Sequence, residues 1–242
     1  MKQITSKKNS YIKELSKLYS KRNISERGLY LIEGKNLIIE ALEAGVVVEL
    51  LIIDENIYEE YNVDKILVSE EVINRLSINN SNRGAIAVCK YEPLSVNLKL
   101  VNKIVVLENI NNPGNLGTII RTALAFGYDA VVTVGESAFI YNDKVIKSAQ
   151  GALFKMPVMQ IKELNGLEDF KPLRFRLSNK SLSMEEVESP KGKFALVFGN
   201  EANGLSDKLL DQWNGQDIKI DIKSIESLNL AMAASIAMYK YK

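Results

Sequence analysis

Short apolar runs alternate with segments of helical period over the C-terminal part of this chain. The runs that predict strands are Lys103–Leu107, Asp129–Gly135, Val158–Ile161, Leu173–Leu177, Phe194–Phe198 and Asp217–Ile222. The segments that predict helices are 116–127, Asn142–Gln150, Ser206–Trp213 and Ser227–Tyr239. Such alternation is typical of an α/β domain with a mostly parallel sheet and helices on both faces. Because ligands of these sheets bind beyond the carboxyl ends of the strands, the turns there are the candidate site.

The N-terminal part predicts a smaller α/β layer of its own. Its predicted strands are Gly28–Glu33, Val46–Ile53, Lys65–Val68 and Ala85–Tyr91, and its predicted helices include Lys35–Ala44 and Glu70–Leu76. The stretch Glu92–Asn102 contains a proline and has weak periodicity, so we place a domain junction there. The predicted division is a small domain at residues 1–92, a linker at 93–102 and a larger domain at 103–242.

The turn after the strand Lys103–Leu107 reads NNPGN and leads directly into a helix. We expect Asn115 to be the N-cap of this helix, since an Asn side chain can accept from a free amide of the first turn. Arg121 lies on the face of this helix that points away from the core. A permanent positive charge beside unpaired N–H groups at the helix start suits an anionic or hydroxyl-rich ligand. An ordinary βα turn with an exposed arginine explains this stretch equally well. The predicted buried face consists of Leu116, Ile119, Ile120 and Ala123.

Two later turns follow strands in the same way. The first reads GNEANGLS, which offers two glycines for close backbone approach and a carboxylate, Glu201. This carboxylate could pair with Arg121 or accept from a ligand amine, and we expect Ser206 to cap the next helix. The second turn reads KSIESLN, with Ser227 as the expected N-cap. Asn229 lies in the predicted first turn of this helix, where asparagine is unfavourable, so a functional role would explain its presence.

The last predicted helix is apolar or small nearly all round, with LAMAASIAM at its centre. Such a helix must be buried on most sides, which the outer layer of a monomer cannot supply. We therefore expect it to pack into a homodimer interface, where its alanines allow close approach of another helix.

The composition excludes several kinds of catalytic and metal site, but it says little about the fold. The 242 residues are 46% hydrophobic and 25% charged, with a net charge of +1, which is ordinary for a globular protein. The chain has no histidine, which excludes Ser-His and Cys-His nucleophile pairs and argues against a zinc site. The single cysteine, Cys89, excludes an internal disulfide and fits a reducing compartment. No run indicates a signal peptide or a membrane span, so the cytoplasm is the expected location.

Two basic features near the N-terminus are candidates for contact with RNA. From Asn9 onward, Lys2–Lys21 predicts an amphipathic helix with a basic outer face. We favour a solvated surface for this face, because lysine runs usually mean only that. Arg83 in the loop NNSNRG could touch RNA, although most loop arginines do not.

Three segments of the chain resemble, in order, the three motifs of the SpoU (TrmH) family of RNA ribose 2′-O-methyltransferases, in the SPOUT superfamily. They are NPGNLGTIIRTALAFG, LVFGNEANGLS and ESLNLAMAASIAMY. The N-terminal segments LYLIEGKNLIIEAL and NRGAIAV are similar to the family's RNA-binding substrate domain, which has an L30e-like fold. Three ordered motifs with the accessory domain make the resemblance specific.

The resemblance implies a fold, a cofactor and a site that periodicity does not show. The C-terminal domain would be a deep trefoil knot that binds S-adenosylmethionine, and a homodimer would complete the active site. No metal site is expected. The cofactor would be bound, largely by backbone groups, at Gly199, Ile220 and Leu228. The functional polar positions would be Asn115, Arg121, Glu201, Ser227 and Asn229.

These residues suggest roles in methyl transfer to a ribose 2′-hydroxyl. Because arginine keeps its proton at neutral pH, we expect Arg121 to stabilise the developing alkoxide or to hold the adjacent phosphate. Asn115 and Asn229 would position the hydroxyl, Glu201 would hold Arg121, and the proton would leave through water. The expected substrate is 23S rRNA, because the N-terminal domain resembles those of rRNA-modifying members.

Three other interpretations stay open. The substrate could be tRNA, the methyl group could go to a base, or the chain could be a non-catalytic RNA-binding protein on the same scaffold. The last is motivated by departures from the family pattern. Asp221 stands where the family usually has proline, the stretch from there to Ser227 contains no glycine, and Leu124 replaces a common acidic residue.

Overall fold

The structure is a computed structural model that describes residues 2–78 and 84–242. The chain forms two compact units. Unit 1 comprises Met1–Glu92 and Tyr141–Phe154, and unit 2 comprises Pro93–Ile140 and Lys155–Lys242. The segment Tyr141–Phe154 packs with the N-terminal residues, although it lies within the C-terminal alternation of strands and helices. The functional division at residues 1–92 and 103–242 stays a prediction.

Unit 1 is a five-stranded mixed sheet with short helices. The elements in chain order are β1 (Lys2–Ile4), α1 (Ser10–Leu15), α2 (Lys21–Arg27), β2 (Leu29–Glu33), α3 (Lys35–Glu43), β3 (Val47–Ile52), β4 (Asp64–Val68), α4 (Glu70–Leu76) and β5 (Ala85–Lys90). Strands β3 and β4 run parallel to each other, as do β4 and β1, whereas β5 is antiparallel to both β3 and β2, in the spatial order β1-β4-β3-β5-β2. The core of unit 1 includes Ile12, Leu31, Leu51, Ile66, Val72 and Ile86.

The single amphipathic helix predicted from Lys2–Lys21 is wrong. The segment forms β1 and α1 and then begins α2, because Asn9 and Ser20 each cap a separate helix with their side chains. Several cations in this segment and in α2 form ion pairs, which reduces the charge available to RNA: Lys7–Glu71, Lys17–Glu14, Arg22–Glu26 and Arg27–Glu14. Arg83, the other candidate RNA contact, lies outside the described residues, as does the loop 79–83.

Unit 2 is built on a seven-stranded sheet flanked by helices. Its elements are β6 (Lys103–Glu108), α5 (Pro113–Ala125), β7 (Ala130–Val134), β8 (Val158–Ile161), β9 (Lys171–Phe175), β10 (Leu182–Ser183), β11 (Phe194–Phe198), α7 (Asp207–Gln212), β12 (Gln216–Lys219) and α8 (Leu230–Lys240). Each neighbouring pair of strands is parallel, in the order β10-β12-β9-β11-β6-β7-β8. Helix α6 (Asp143–Ala149) lies between β7 and β8 in the chain but belongs to unit 1, where it packs on β2. The predicted α/β class with a mostly parallel sheet is confirmed.

Alternate residues of the central strands pack on opposite faces of the sheet. On one face, Ile104, Val106, Ala195 and Val197 join Leu209 and Trp213 in one apolar cluster. On the other face, α8 packs against both α5 and β11. The predicted buried face of α5 is confirmed, since its four apolar residues are fully buried. Because α5 and α8 both follow parallel strands, both helices begin at the carboxyl edge of the sheet, where the candidate site lies.

Candidate active site

A cavity of about 700 Å³ lies at the carboxyl ends of three neighbouring strands, β9, β11 and β12. Its walls also include residues between β12 and α8. The position is the one that ligands take on open parallel sheets, and the volume suits a cofactor. Strand β12 ends at Lys219, earlier than predicted, so Ile220 lies in a loop rather than a strand. The cavity is lined by six of the predicted site residues: Gly199, Glu201, Ile220, Ser227, Leu228 and Asn229.

The loop after β11, here called the glycine loop (Gly199–Ser206), is closed on itself by hydrogen bonds. Asn200 and Gly204 exchange two backbone hydrogen bonds of 3.0 and 2.9 Å. The Asn200 side-chain oxygen accepts from the backbone amides of Ala202 at 2.9 Å and Asn203 at 3.2 Å. Hydrogen bonds within the glycine loop therefore define its shape.

Gly199 occupies a place in this loop where no side chain fits. A Cβ added there would lie 2.1–2.2 Å from backbone atoms of Gly204 and Leu205. Unlike Gly204, whose φ is +68°, Gly199 is needed for close backbone approach and not for its conformation. Gly199 is also among the residues that line the cavity, in keeping with the predicted role in cofactor binding.

Three polar side chains from the three motifs form a hydrogen-bonded chain at the cavity. Asn229 Nδ2 donates to Asn115 Oδ1 at 3.1 Å, and Asn115 Nδ2 donates to Glu201 Oε1 at 3.1 Å. Asn115 is itself only 7% exposed. The chain joins residues separated by up to 114 positions in the sequence and leaves the second Glu201 oxygen without a partner within the described residues.

The predicted N-cap of α5 is wrong: the cap is Asn112 and not Asn115. The Asn112 side chain accepts from the backbone amides of Gly114 at 2.9 Å and Asn115 at 3.3 Å. Pro113 occupies the first helical position, where its fixed φ and missing N–H are well tolerated. Because Asn112 supplies the cap, the Asn115 side chain is free to bind Glu201.

The cap of α8 likewise lies later than predicted, at Asn229 rather than Ser227. Asn229 Oδ1 accepts from the backbone amides of Ala231 at 2.9 Å and Met232 at 3.3 Å, while its amide nitrogen reaches Asn115. Asn229 thus caps α8 and binds Asn115 at the same time, which explains why a residue that is unfavourable inside a helix stands at this position. Ser227 is exposed and lines the cavity.

Arg121 lies on the exposed face of α5 and is not among the described residues that line the cavity. It forms no ion pair or hydrogen bond with any part of the chain that the structure describes. The predicted pairing of Arg121 with Glu201 is therefore wrong within one chain, since the Glu201 carboxylate accepts from Asn115 instead.

Helix α8 is buried on one side only within the chain. The buried side is formed by Ala231, Ala234, Ala237 and Met238. The outer side carries Met232, Ile236 and Tyr239, which are 54%, 40% and 60% exposed. Their spacing places them on one face of the helix, so an apolar stripe remains uncovered by this chain.

The chemistry available in unit 2 rests on amides, carboxylates and cations. Burial raises the pKa of Tyr241 to about 12, and it also raises the pKa of Tyr128, so both phenols keep their protons near neutral pH and neither acts as a base. Within residues 2–78 and 84–242, no cluster of three or more His, Cys, Asp or Glu side chains could hold a metal ion.

Across the same residues, no helix combines the length and the apolar character needed to cross a membrane.

The sequence did not predict two parts of the cavity wall, a pair of stacked aromatic rings and a cation. The rings of Phe175 and Phe198 stack with centroids 4.6 Å apart in its wall, and Arg176 adds a cation beside them. No sequence signal joins the ends of β9 and β11 before the sheet order is known. The Asn112 cap, in contrast, could have been found from the proline that follows it.

Unit 1 has a concave surface of its own. A cleft of about 280 Å³ is lined by residues at the start of α3, by one side of α6 and by the half-exposed Ile78. Its rim carries charges of both signs, from Glu33, Lys35, Asp143 and Lys147.

Comparison with known proteins agrees with this architecture. Residues 102–239 match the SpoU rRNA Methylase family, and residues 9–87 match the MRM3-like substrate binding domain. The chain is 34% identical over 252 residues to the 23S rRNA (guanosine(2553)-2′-O)-methyltransferase RlmP of Bacillus subtilis (strain 168), covering 99% of this chain and 98% of that protein.

Solved structures show the same fold over nearly the whole chain. An AdoMet-bound rRNA methyltransferase from Sinorhizobium meliloti superposes with a TM-score of 0.86 at 24% identity, covering 99% of this chain and 97% of that one. A structure described as an RNA 2′-O ribose methyltransferase superposes with a TM-score of 0.83 at 25% identity, with the same two coverages.

The parallel sheet, the cavity at its carboxyl edge and the three converging motifs define a methyltransferase of the SpoU type. The chain belongs to the SpoU rRNA methylase family. The resemblance inferred from the sequence is confirmed, whereas the trefoil knot that it implies stays a prediction.

Proposed function

We propose that this protein transfers a methyl group from S-adenosylmethionine to a ribose 2′-hydroxyl of 23S rRNA. The observation that carries the proposal is the convergence of Asn115, Glu201 and Asn229 beside a cofactor-sized cavity, in a chain of the SpoU family. The full-length similarity to a 23S rRNA methyltransferase supports the choice of RNA, as does the substrate-binding domain matched at residues 9–87. We take the cytoplasm as the place of action.

The cavity suits S-adenosylmethionine in size and in chemistry. Apolar groups, including Leu205, Ile218 and Leu228, provide surface for an adenine ring, and we assign hydrogen bonds to its edge to the backbone of the glycine loop, which lines the cavity. Carboxylates of Glu201 and Glu226 suit the positive charges of the ligand, and the cations of Arg176 and Lys219 in the same wall suit its carboxylate. When bound, the cofactor supplies an activated methyl group on a sulfonium.

The polar side chains of the three motifs have different roles in the proposed reaction. Glu201 fixes the Asn115 amide, and Asn115 in turn fixes Asn229. We assign these two amides, with the Ser227 hydroxyl, to positioning the ribose hydroxyl, and Arg121 to stabilising the negative charge that develops on it. We also assign part of the RNA binding to unit 1, where Lys35 and Lys147 at the cleft suit phosphate and the neighbouring Glu33 and Asp143 suit hydroxyl and amine donors.

Titration of the purified protein with S-adenosylmethionine tests whether it is a methyltransferase or a non-catalytic RNA-binding protein with the same fold. We expect saturable binding by isothermal calorimetry. If no binding were detected, the altered segment from Asp221 to Ile225 would have cost the protein its cofactor, and the non-catalytic alternative would be favoured. Transfer assays on purified tRNA and rRNA decide between the two RNA classes.

The protein is further proposed to act as a homodimer through α8. The exposed stripe of Met232, Ile236 and Tyr239 is apolar and lies on a helix that packs beside α5. Arg121 of α5 is exposed and is not among the described residues that line the cavity of its own chain. A second copy packed on the stripe would bury the apolar surface and could receive Arg121 in its own site. Dimerisation therefore accounts for both features together.

Ile236→Glu should convert the dimer into a monomer, because the substitution places a charge within a buried apolar interface. Size-exclusion chromatography with light scattering measures the mass directly. Leu100→Glu is the matched control, since Leu100 is 78% exposed and lies outside the stripe, and it should leave the dimer unchanged. A wild-type protein that is monomeric at micromolar concentration would contradict this assembly.

A further inference from the structure

Glu108 is a buried carboxylate at the carboxyl end of β6, only 7% exposed, and it is not among the described residues that line the cavity. Its Oε2 accepts from the backbone N–H of Ser206 at 2.8 Å, and its Oε1 accepts from the Ser206 hydroxyl. The same hydroxyl accepts from the amide of Leu209 at 3.1 Å, in the first turn of α7. One carboxylate thereby fixes the last residue of the glycine loop.

The next residue fixes the other end of that loop. Asn109 has a φ of +53°, a left-handed conformation that asparagine tolerates better than most residues. Its carbonyl oxygen accepts from Asn200 Nδ2 at 2.8 Å. Two consecutive residues at the end of β6 therefore hold the second and the last residues of the glycine loop.

We propose that Glu108 is a positioning residue for cofactor binding, which acts with Asn109 to hold the glycine loop in the shape that presents Gly199 and Glu201 to S-adenosylmethionine. This rests on the proposed function, since that function assigns the glycine loop to the cofactor. Holding the loop in its binding shape in the free protein removes the ordering cost from the binding step. Glu108 itself touches neither cofactor nor substrate.

A carboxylate suits this place because two donors of Ser206 converge on it. An ionised carboxylate is acceptor-only, so both of its oxygens can serve. In Glu108→Gln, a side chain of nearly equal size keeps one acceptor for the Ser206 backbone N–H but loses the negative charge, and its NH₂ can only donate to the Ser206 hydroxyl, whose proton then loses its acceptor. The change weakens one tether of the glycine loop without opening a cavity in the core.

Asp129 provides a matched control at the other end of the same strand. Its Oδ2 accepts from the backbone amides of Asn102 and Lys103, both at 2.8 Å, at the start of β6. Asp129→Asn therefore removes the charge from two carboxylate hydrogen bonds at the end of β6 opposite to the cavity, where one oxygen accepts both backbone amides. It should lower stability about as much as Glu108→Gln while leaving the glycine loop in place.

Two measurements on the full chain test the proposal. For Glu108→Gln we expect faster amide hydrogen exchange in the glycine loop of the ligand-free protein. We also expect the dissociation constant of S-adenosylmethionine to rise about tenfold, the size of one hydrogen bond to a charged group. Asp129→Asn should change neither quantity, although both variants lower the denaturant midpoint.

A second variant tests the other tether if Glu108→Gln does not fold. Asn200→Asp keeps the oxygen that accepts from Ala202 and Asn203 but loses the donor to the Asn109 carbonyl, so the same loss of protection and affinity is expected. Wild-type affinity in Glu108→Gln, or an equal loss in Asp129→Asn, would overturn the positioning role. A wild-type protein that binds no cofactor would overturn the proposed function as well, which is a distinguishable result.

Discussion

Arg121→Ala should lower kcat for methyl transfer by about 10²- to 10³-fold, the usual cost of removing one group that stabilises developing charge. The dissociation constant of S-adenosylmethionine should stay nearly unchanged, because Arg121 is not among the described residues that line the cavity. Stability should hold as well, since Arg121 is exposed on a helix and alanine is the best helix former. Single-turnover kinetics and calorimetry check the two quantities separately.

Arg121→Lys is the matched variant for the chemistry of the side chain. It keeps the charge but loses the planar fork of donors, so it should recover only part of the rate. Full activity in Arg121→Ala would contradict the assigned role. A rate loss with an equal loss of cofactor binding would also contradict it, because the residue would then act through the cofactor.

Mixing two inactive variants tells whether Arg121 acts across the dimer. Arg121→Ala keeps its cofactor site, and Gly199→Val should lose that site but keep Arg121. In a mixed dimer, the intact cofactor site would receive Arg121 of the partner subunit, so activity should return after subunit exchange. If Arg121 acted within its own chain, no mixture would be active.

Gly199→Ala should raise the dissociation constant of S-adenosylmethionine by about 100-fold, the equivalent of losing two hydrogen bonds. The added Cβ would lie 2.1–2.2 Å from the backbone of Gly204 and Leu205, so the glycine loop must move. Overpacking of this kind also lowers the free energy of unfolding by about 1–3 kcal/mol. Calorimetry and urea denaturation measure the two effects.

Gly192→Ala separates the effect on the site from a general loss of stability. Gly192 has a φ of +83° and open space around the added Cβ, so alanine there costs backbone strain of about 1–2 kcal/mol without a clash. Cofactor affinity should be retained in this variant. Equal affinity losses in the two glycine variants would show that the glycine loop has no special role.

The cores of the sheets follow from local patterns, and so were predictable from the sequence. Val158–Ile161 and Phe194–Phe198 form strands with the predicted bounds, because continuous apolar runs between turn residues leave little choice. The start of α5 was misplaced although a local rule covers it, since proline prefers the first helical position. The N-terminal segment failed because two capping residues, Asn9 and Ser20, divide one hydrophobic period between two helices.

The polar contacts of the site depend on the sheet order and could not be predicted in the same way. The sequence marked Asn115, Glu201 and Asn229 as functional positions but paired Glu201 with Arg121, because opposite charges suggest a partner when no geometry is known. Glu108 and Ser206 are 98 positions apart, and only the pairing of β6 with β11 brings them together. Tyr141–Phe154 joined unit 1 for a similar reason, since its packing on β2 is a long-range contact.

Mass spectrometry of 23S rRNA after reaction with the purified protein and methyl-labelled S-adenosylmethionine tests the central claim most directly. We expect one labelled nucleotide whose 3′ linkage resists alkali and nuclease, the sign of a 2′-O-methyl group. The first position to examine is guanosine 2553, the nucleotide named for the Bacillus subtilis relative. Label on a base, or no transfer to 23S rRNA by a protein that binds the cofactor, would contradict the account.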